Sequence, residues 1–199
     1  VWDDEQNITA TMRANSIRQE VEDSLGRLQV DVIDLYQIHW PNPEEEIEEG
    51  WQTLAELKQE GKLRWIGVSN FSVEQMELIS KIAPVSSLQL PYSAINRDIE
   101  NEILPYCLQK KIGVIVYSPM QSGLLTGKMS KERIENLAQD DWRHKSDDYK
   151  EPKLSKNLAL QDLFMEIAKE NNVSTPAVAI AWTLHNPAVT SAIVGARKP

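Results

Sequence analysis

Five places along this 199-residue chain carry side chains suited to work on a ligand, each where an apolar stretch ends: His39, Ser69-Asn70, Gln89, Tyr117-Ser118 and Gly195-Ala196-Arg197. Their chemistries are complementary. An imidazole N–H can polarise a C=O. Asn and Gln each offer both a donor and an acceptor, which is what an amide-bearing ligand needs. Burying such amides unpaired would be costly, so a ligand is a good explanation for them. The turn from Gly123 to Lys128 adds a glycine-rich segment ending in a cation, a reasonable clasp for phosphate. It is not a P-loop. Only three residues separate Gly123 from Gly127, and Met129 stands where Ser or Thr would be required.

Composition narrows the classes. A hydrophobic fraction of 41% with 26% charged residues is that of an ordinary globular protein, and the length suits one domain. A net charge of −9 disfavours nucleic acid as a partner. The single cysteine, Cys107, precludes an internal disulfide, suits a reducing cytoplasm, and falls among Ile103, Leu104 and Leu108 as a buried structural thiol would. His39, His144 and His185 share no ligand spacing with one another or with Cys107, so no metal site is expected. Neither an apolar run of membrane-spanning length nor a basic-then-apolar leader occurs, so a cytoplasmic protein with no membrane partner is expected. The opening Val1-Trp2-Asp3-Asp4, without Met, reads as a cut end.

The elements that must position these groups alternate along the chain. Ile17, Val21, Leu25 and Leu28 recur at helical spacing, with Ser16 and Gln19 placed as a capping box. Val30 to Ile38 is nearly continuously apolar apart from Asp31, Asp34 and Gln37, the pattern of a strand buried on both faces. A helix follows from about Pro43 to Glu60, with Ile47, Trp51, Leu54 and Leu57 on one face and Gly61 as its left-handed terminator. Leu63 to Val68 is a strand, and Ser72 with Gln75 caps the next helix. Val85 to Leu90, Ile112 to Tyr117 and Val189 to Val194 are further strands. Helices are expected over about Ile99 to Lys110, about Ser155 to Asn171, and from Pro176 to near His185. The polar stretch from Ser118 to Pro152 is too long for an ordinary connection and is expected to be functional or mobile.

Five strands separated by helices, with no hairpin signal, predict a parallel sheet. No G-x-G-x-x-G follows any strand, so the fingerprint of the open dinucleotide-binding fold is absent. Every strand ends in polar or aromatic groups. In a parallel barrel those ends share one rim, where active sites are built, whereas an open sheet gathers only one crevice. This favours the barrel.

Three long motifs then become recognisable. Ser24-Leu25-Gly26-Arg27-Leu28 leading into Asp31-Val32-Ile33-Asp34-Leu35-Tyr36-Gln37-Ile38-His39-Trp40-Pro41 resembles the aldo-keto reductase family. So do Gly61-Lys62-Leu63-Arg64-Trp65-Ile66-Gly67-Val68-Ser69-Asn70-Phe71-Ser72, and Tyr117-Ser118-Pro119 with Ser122-Gly123-Leu124-Leu125-Thr126-Gly127-Lys128. The resemblance runs from about residue 10 to the end. It is nearer the bacterial general-stress and channel-β-subunit-like branch than the aldose reductases. His39, where a channel-β-like protein often carries Asn, points to an enzyme.

The resemblance implies a (β/α)8 barrel of the TIM type, an α/β fold, with residues 1–199 supplying about five of eight units (strands four to eight) as a single domain. It implies NADPH-dependent reduction of aldehydes and ketones by hydride transfer, with a small carbonyl compound as substrate. It makes His39 the catalytic histidine that orients the carbonyl, and Trp40 a wall of the substrate pocket. Ser69, Asn70 and Gln89 would hold the nicotinamide carboxamide, and Tyr117 would stack on its ring. Ser118, Gly123, Leu124 and Lys128 would fold over the pyrophosphate, with Arg143 in the same lid. Gly195, Arg197 and Lys198 would read the 2′-phosphate that distinguishes NADPH. The family's Tyr, Lys and Asp precede the strand ending in His39 and are expected to lie outside this chain, so the polypeptide alone is expected to be inactive. Open barrel edges would then favour self-association. Two other classes fit the same residues: an NADPH-binding redox sensor without turnover, and a truncated structural paralogue without cofactor.

Overall fold

The computed structural model describes residues 10–195. These fall into two compact units: one takes the chain to Leu90 together with Asn101–Val114, and the other comprises Pro91–Glu100 and the chain from Ile115 onward. In each, the hydrogen-bonded order of the strands is their order in sequence.

The first unit opens with α1 (Ala14–Leu28), whose Ile17, Val21 and Leu25 are buried. The predicted capping box of Ser16 and Gln19 does not form, because the helix begins at Ala14 and Arg13 is its cap residue. Two glutamates distant in sequence serve the entry instead: Glu49 accepts from the Ala14 N–H at 2.9 Å and Glu46 from the Met12 N–H at 2.7 Å. Leu28, expected on the buried face, is exposed. Strand β1 (Ile33–Ile38) begins later than predicted and is not buried on both faces; Val30, Val32 and Asp34 face solvent. The reason is its place at the sheet edge, paired only with β2 (Leu63–Ser69) among the described strands.

Between them lies α2 (Ile47–Gln59), preceded by a 3-10 turn over Glu44–Glu46. Ile47, Trp51, Leu54 and Leu57 are all buried as their spacing requires, each contributing about 1.5–3 kcal/mol by removal from water. Gly61 ends the turn with φ +82°, a conformation open to glycine without strain. Helix α3 (Val73–Ser80) carries the expected box, with Ser72 and Gln75 bonded in both directions. Strand β3 (Ser87–Pro91) pairs parallel to β2, bringing Gly67 opposite Ser87 and Ser69 opposite Gln89. Helix α4 (Ile103–Lys110) is shorter than predicted, a separate 3-10 turn taking Asp98–Glu100. Cys107 is buried on it, and desolvation pushes its thiol up to about 12.

The second unit holds the end of β4 (Gly113–Tyr117) beside β5 (Val189–Ala192), with the Ile193 N–H bonded to Val116 O at 2.8 Å. The long segment after Tyr117 is built rather than bare. It contains α5 (Lys131–Glu135) and several 3-10 turns, and its Leu124, Met129, Ile134 and Tyr149 form a core with Leu154. Leu154 opens α6 (Lys153–Glu170), whose Phe164 packs with Leu125 and with Ala179 of α7 (Thr175–Leu184). Pro176 sits in the first turn of α7, as predicted. Among the described residues no helix is long and apolar enough to cross a membrane.

Candidate functional site

In the first unit the candidate residues lie at the C-terminal ends of β1, β2 and β3. His39 follows β1 directly and is exposed. Asn70 follows β2 in the left-handed region at φ +63°, which Asn tolerates better than most residues. This bend lets the Asn70 amide reach sideways: its Nδ2 donates to the Ser69 hydroxyl and to the backbone oxygen of His39, both at 3.0 Å. Ser69 is buried and donates to Gln89 O at 3.0 Å, and the Asn70 backbone N–H reaches the same oxygen at 3.0 Å. His39, Ser69, Asn70 and Gln89 are thus brought into one bonded group.

Sequence reasoning left two members unassigned. Gln37 lies on β1, with Nε2 donating to Val68 O at 3.2 Å and to Ser87 Oγ at 3.1 Å, while its Oε1 accepts from Gln89 Nε2 at 3.0 Å. The only signal in the sequence was a polar residue interrupting an apolar strand. Ser87 gave none. Beside the group, Trp40 is 53% exposed with its ring centroid 5.9 Å from that of His39. Both line a hollow of about 370 Å³ with Tyr36 and Gln37.

The second unit has its own cleft, about 730 Å³, at the end of β4, a size within the usual range for a small-molecule site. Tyr117, Ser118, Gly123, Lys128 and Gly195 all line it. Burial raises the Tyr117 phenol. Gly123 stands at φ +108°, and a Cβ there would meet the Met129 side chain at 3.2 Å. Leu124 is different: its side chain is fully buried in the core behind the cleft, so only its backbone can serve a ligand. Two more cations reach the cleft. Arg133 donates to Lys128 O at 3.2 Å, and Arg143 is locked to Asp141 through Nε at 2.9 Å and Nη2 at 2.6 Å. That guanidinium holds the Asp141 carboxyl well below the usual carboxylate range. Lys128, Arg133 and Arg143 thus put three cationic side chains on one cleft, the last of them paired with Asp141. Arg197 and Lys198 lie outside the described residues. No group of three or more His, Cys, Asp or Glu side chains is placed to hold a metal among the described residues.

The chain has known relatives in sequence and in fold. The model of the aldo/keto reductase family matches residues 2–199. The chain is 40% identical, over all its length, to aldo-keto reductase YhdN of Bacillus subtilis, covering 59% of that protein. It is 31% identical to the NADH-specific methylglyoxal reductase of Escherichia coli, over 98% of this chain and 60% of the relative. Among solved structures, the glycerol dehydrogenase AKR11B4 of Gluconobacter oxydans superposes with a TM-score of 0.92 at 42% identity, over 100% of this chain and 61% of that one. The family match and the solved relative therefore define a parallel α/β protein of the (β/α)-barrel type. The chain belongs to the aldo/keto reductase family, and it spans about three-fifths of the length of the relatives it matches.

Proposed function

We propose that the protein carrying this chain is a nicotinamide-dependent carbonyl reductase that prefers NADPH and acts on a small aldehyde or ketone. The observation that carries the reading is the amide group at the ends of β1 to β3. His39 stands beside it on one backbone, tied through its own carbonyl oxygen to the Asn70 amide.

Each unit, taken by itself, offers residue types that suit part of the cofactor. Asn70 and Gln89 bring amide oxygens, which accept from a carboxamide NH2, with Ser69 bracing them. Tyr117 offers an aromatic face for the nicotinamide ring. Ser118, Gly123, the Leu124 backbone and Lys128 take the pyrophosphate, and Arg143 lies on the same cleft. Gly195, Arg197 and Lys198 take the 2′-phosphate, and the two cations of this set are the support for NADPH over NADH. When bound, the nicotinamide supplies the hydride. His39 donates from its ring to the substrate oxygen and so favours the negative charge that gathers there as the hydride arrives. Trp40 walls the substrate and limits water. Of the four reacting groups the resemblance implies, His39 is the one assigned within these residues.

The test is fluorescence titration of the protein that carries this chain, not of the 199-residue polypeptide alone, with NADPH and NADH, followed by turnover with an aldehyde panel that includes methylglyoxal and glyceraldehyde. NADPH binding tighter than NADH, with oxidation on at least one carbonyl, is expected. Absence of binding of either nucleotide at about 1 mM, the upper end of common KM values, would overturn the proposal.

A further inference from the structure

We infer that Gln37 is a positioning residue: it fixes which way the Gln89 amide faces, so that Gln89 presents its oxygen, and not its NH2, to the carboxamide of a bound nicotinamide. The inference rests on the cofactor reading above and adds a residue to it.

One partner of Gln37 has a role without ambiguity. The Val68 carbonyl can only accept, so the end of Gln37 that lies 3.2 Å away must be its Nε2. The same nitrogen spends its second proton on Ser87 Oγ at 3.1 Å. With the nitrogen so placed, Gln37 Oε1 faces Gln89 at 3.0 Å and requires a donor there. Only Gln89 Nε2 can provide it. Turning the Gln89 amide over would set two carbonyl-type oxygens against each other at the same separation. The choice made by one backbone carbonyl is thereby passed through two amides to the atom that meets the ligand.

The rest of Gln89 is already fixed. Its backbone oxygen accepts from both the Ser69 hydroxyl and the Asn70 N–H, which leaves the direction of the side-chain amide as the freedom that Gln37 removes. The space for this relay is also built into the sheet. Gln37, Gly67 and Ser87 stand in one row across β1, β2 and β3. A Cβ on Gly67 would come within 2.1 Å of Ser87 Oγ and 3.3 Å of Gln37 Cγ, so Gln37 reaches Ser87 across a strand that offers no side chain in the way.

The experiment compares three probes by titration: NADP⁺, its 3-acetylpyridine analogue, and adenosine 2′,5′-bisphosphate. The analogue keeps the acceptor oxygen of the carboxamide but replaces its NH2 with a methyl group, so it cannot donate to Gln89 Oε1. The bisphosphate lacks the nicotinamide altogether. The wild-type protein is expected to favour NADP⁺ over the analogue by about tenfold, the scale of one unmade hydrogen bond. In Gln37→Met the Gln89 amide is free to turn, and the preference falls to about twofold while bisphosphate affinity is unchanged. Ser87→Ala, which removes one of the two acceptors of Gln37, moves the ratio the same way by less and stands in should the first variant fail to fold.

A Gln37→Met protein that retains the wild-type preference overturns the inference and leaves the cofactor reading intact. So does a loss of bisphosphate affinity equal to the loss for NADP⁺, which marks a general structural defect. Failure of the wild-type protein to bind NADP⁺ at all overturns both.

Discussion

Gln161 closes both ends of its amide on one residue: Met129 N–H donates to Gln161 Oε1 at 3.1 Å, and Gln161 Nε2 donates to Met129 O at 2.9 Å. The pair is buried, and it ties the segment carrying Lys128 to the middle of α6. Gln161→Leu leaves a buried N–H and a buried C=O without partners, at about 1–3 kcal/mol each. An overall loss of about 2–4 kcal/mol in denaturant unfolding is expected, together with weaker nucleotide binding as Lys128 loses its support. An unfolding midpoint indistinguishable from wild type would show that water or a shifted loop satisfies Met129.

Two glycines should respond in opposite senses to the same substitution. Gly67 faces Ser87 so closely that an added Cβ would also lie 2.7 Å from the Ser87 backbone oxygen, and backbone cannot swing aside as a side chain can. Gly67→Ala is expected to destabilise by about 1–3 kcal/mol, the usual range for overpacking. Gly26 lies within α1, exposed, with nothing within 4 Å of an added Cβ. Gly26→Ala should stabilise by about 1 kcal/mol, since helical glycine is entropically costly. Thermal melts of the two variants decide it; shifts of the same sign would contradict the packing described.

Helix α2 and the box at Ser72 and Gln75 were legible because their signals are local: helical spacing in one, a three-residue offset in the other. The box expected at Ser16 and Gln19 has the same local signal and fails, since Glu46 and Glu49 come in from another element. The burial of β1 was misjudged because apolar content does not tell an edge strand from a central one. His39, Ser69, Asn70 and Gln89 could be found as polar residues at strand ends. The role of Gln37 could not, since it depends on register across three strands. Leu124 looked like part of a ligand loop, and only the packing shows its side chain turned to the core.

The Asp141–Arg143 pair gives a stability term with a defined pH window. Asp141 is held below its ordinary value chiefly by hydrogen bonds from Arg143. A carboxyl depressed in the folded state contributes stability that is complete above its unfolded pKa of about 3.9 and is lost as pH falls toward the folded value. The gap in Tm between wild type and Asp141→Asn should therefore be constant between pH 7 and pH 5 and shrink below about pH 4. Melts at pH 7, 5 and 3 test it. A gap at pH 3 equal to that at pH 7 would mean that the variant acts through lost packing rather than lost charge.

Removing the His39 ring should separate catalysis from cofactor binding, and the reason lies in which atom of His39 the amide group uses. Asn70 Nδ2 bonds to the backbone oxygen of His39 and not to its imidazole. His39→Ala therefore keeps the bond that ties β1 to Asn70, and with it the arrangement of Ser69 and Gln89. The exposed ring contributes little to the core, so stability should change by less than about 0.5 kcal/mol. Under the proposed function, kcat falls by about 10²–10³, the range for losing one hydrogen-bond donor to a developing oxyanion, while the dissociation constant for NADPH stays within about twofold of wild type. Stopped-flow titration and steady-state kinetics on one preparation measure both. A kcat that survives the substitution would remove His39 from the reaction, and the amide group at the strand ends would then describe a binding site alone.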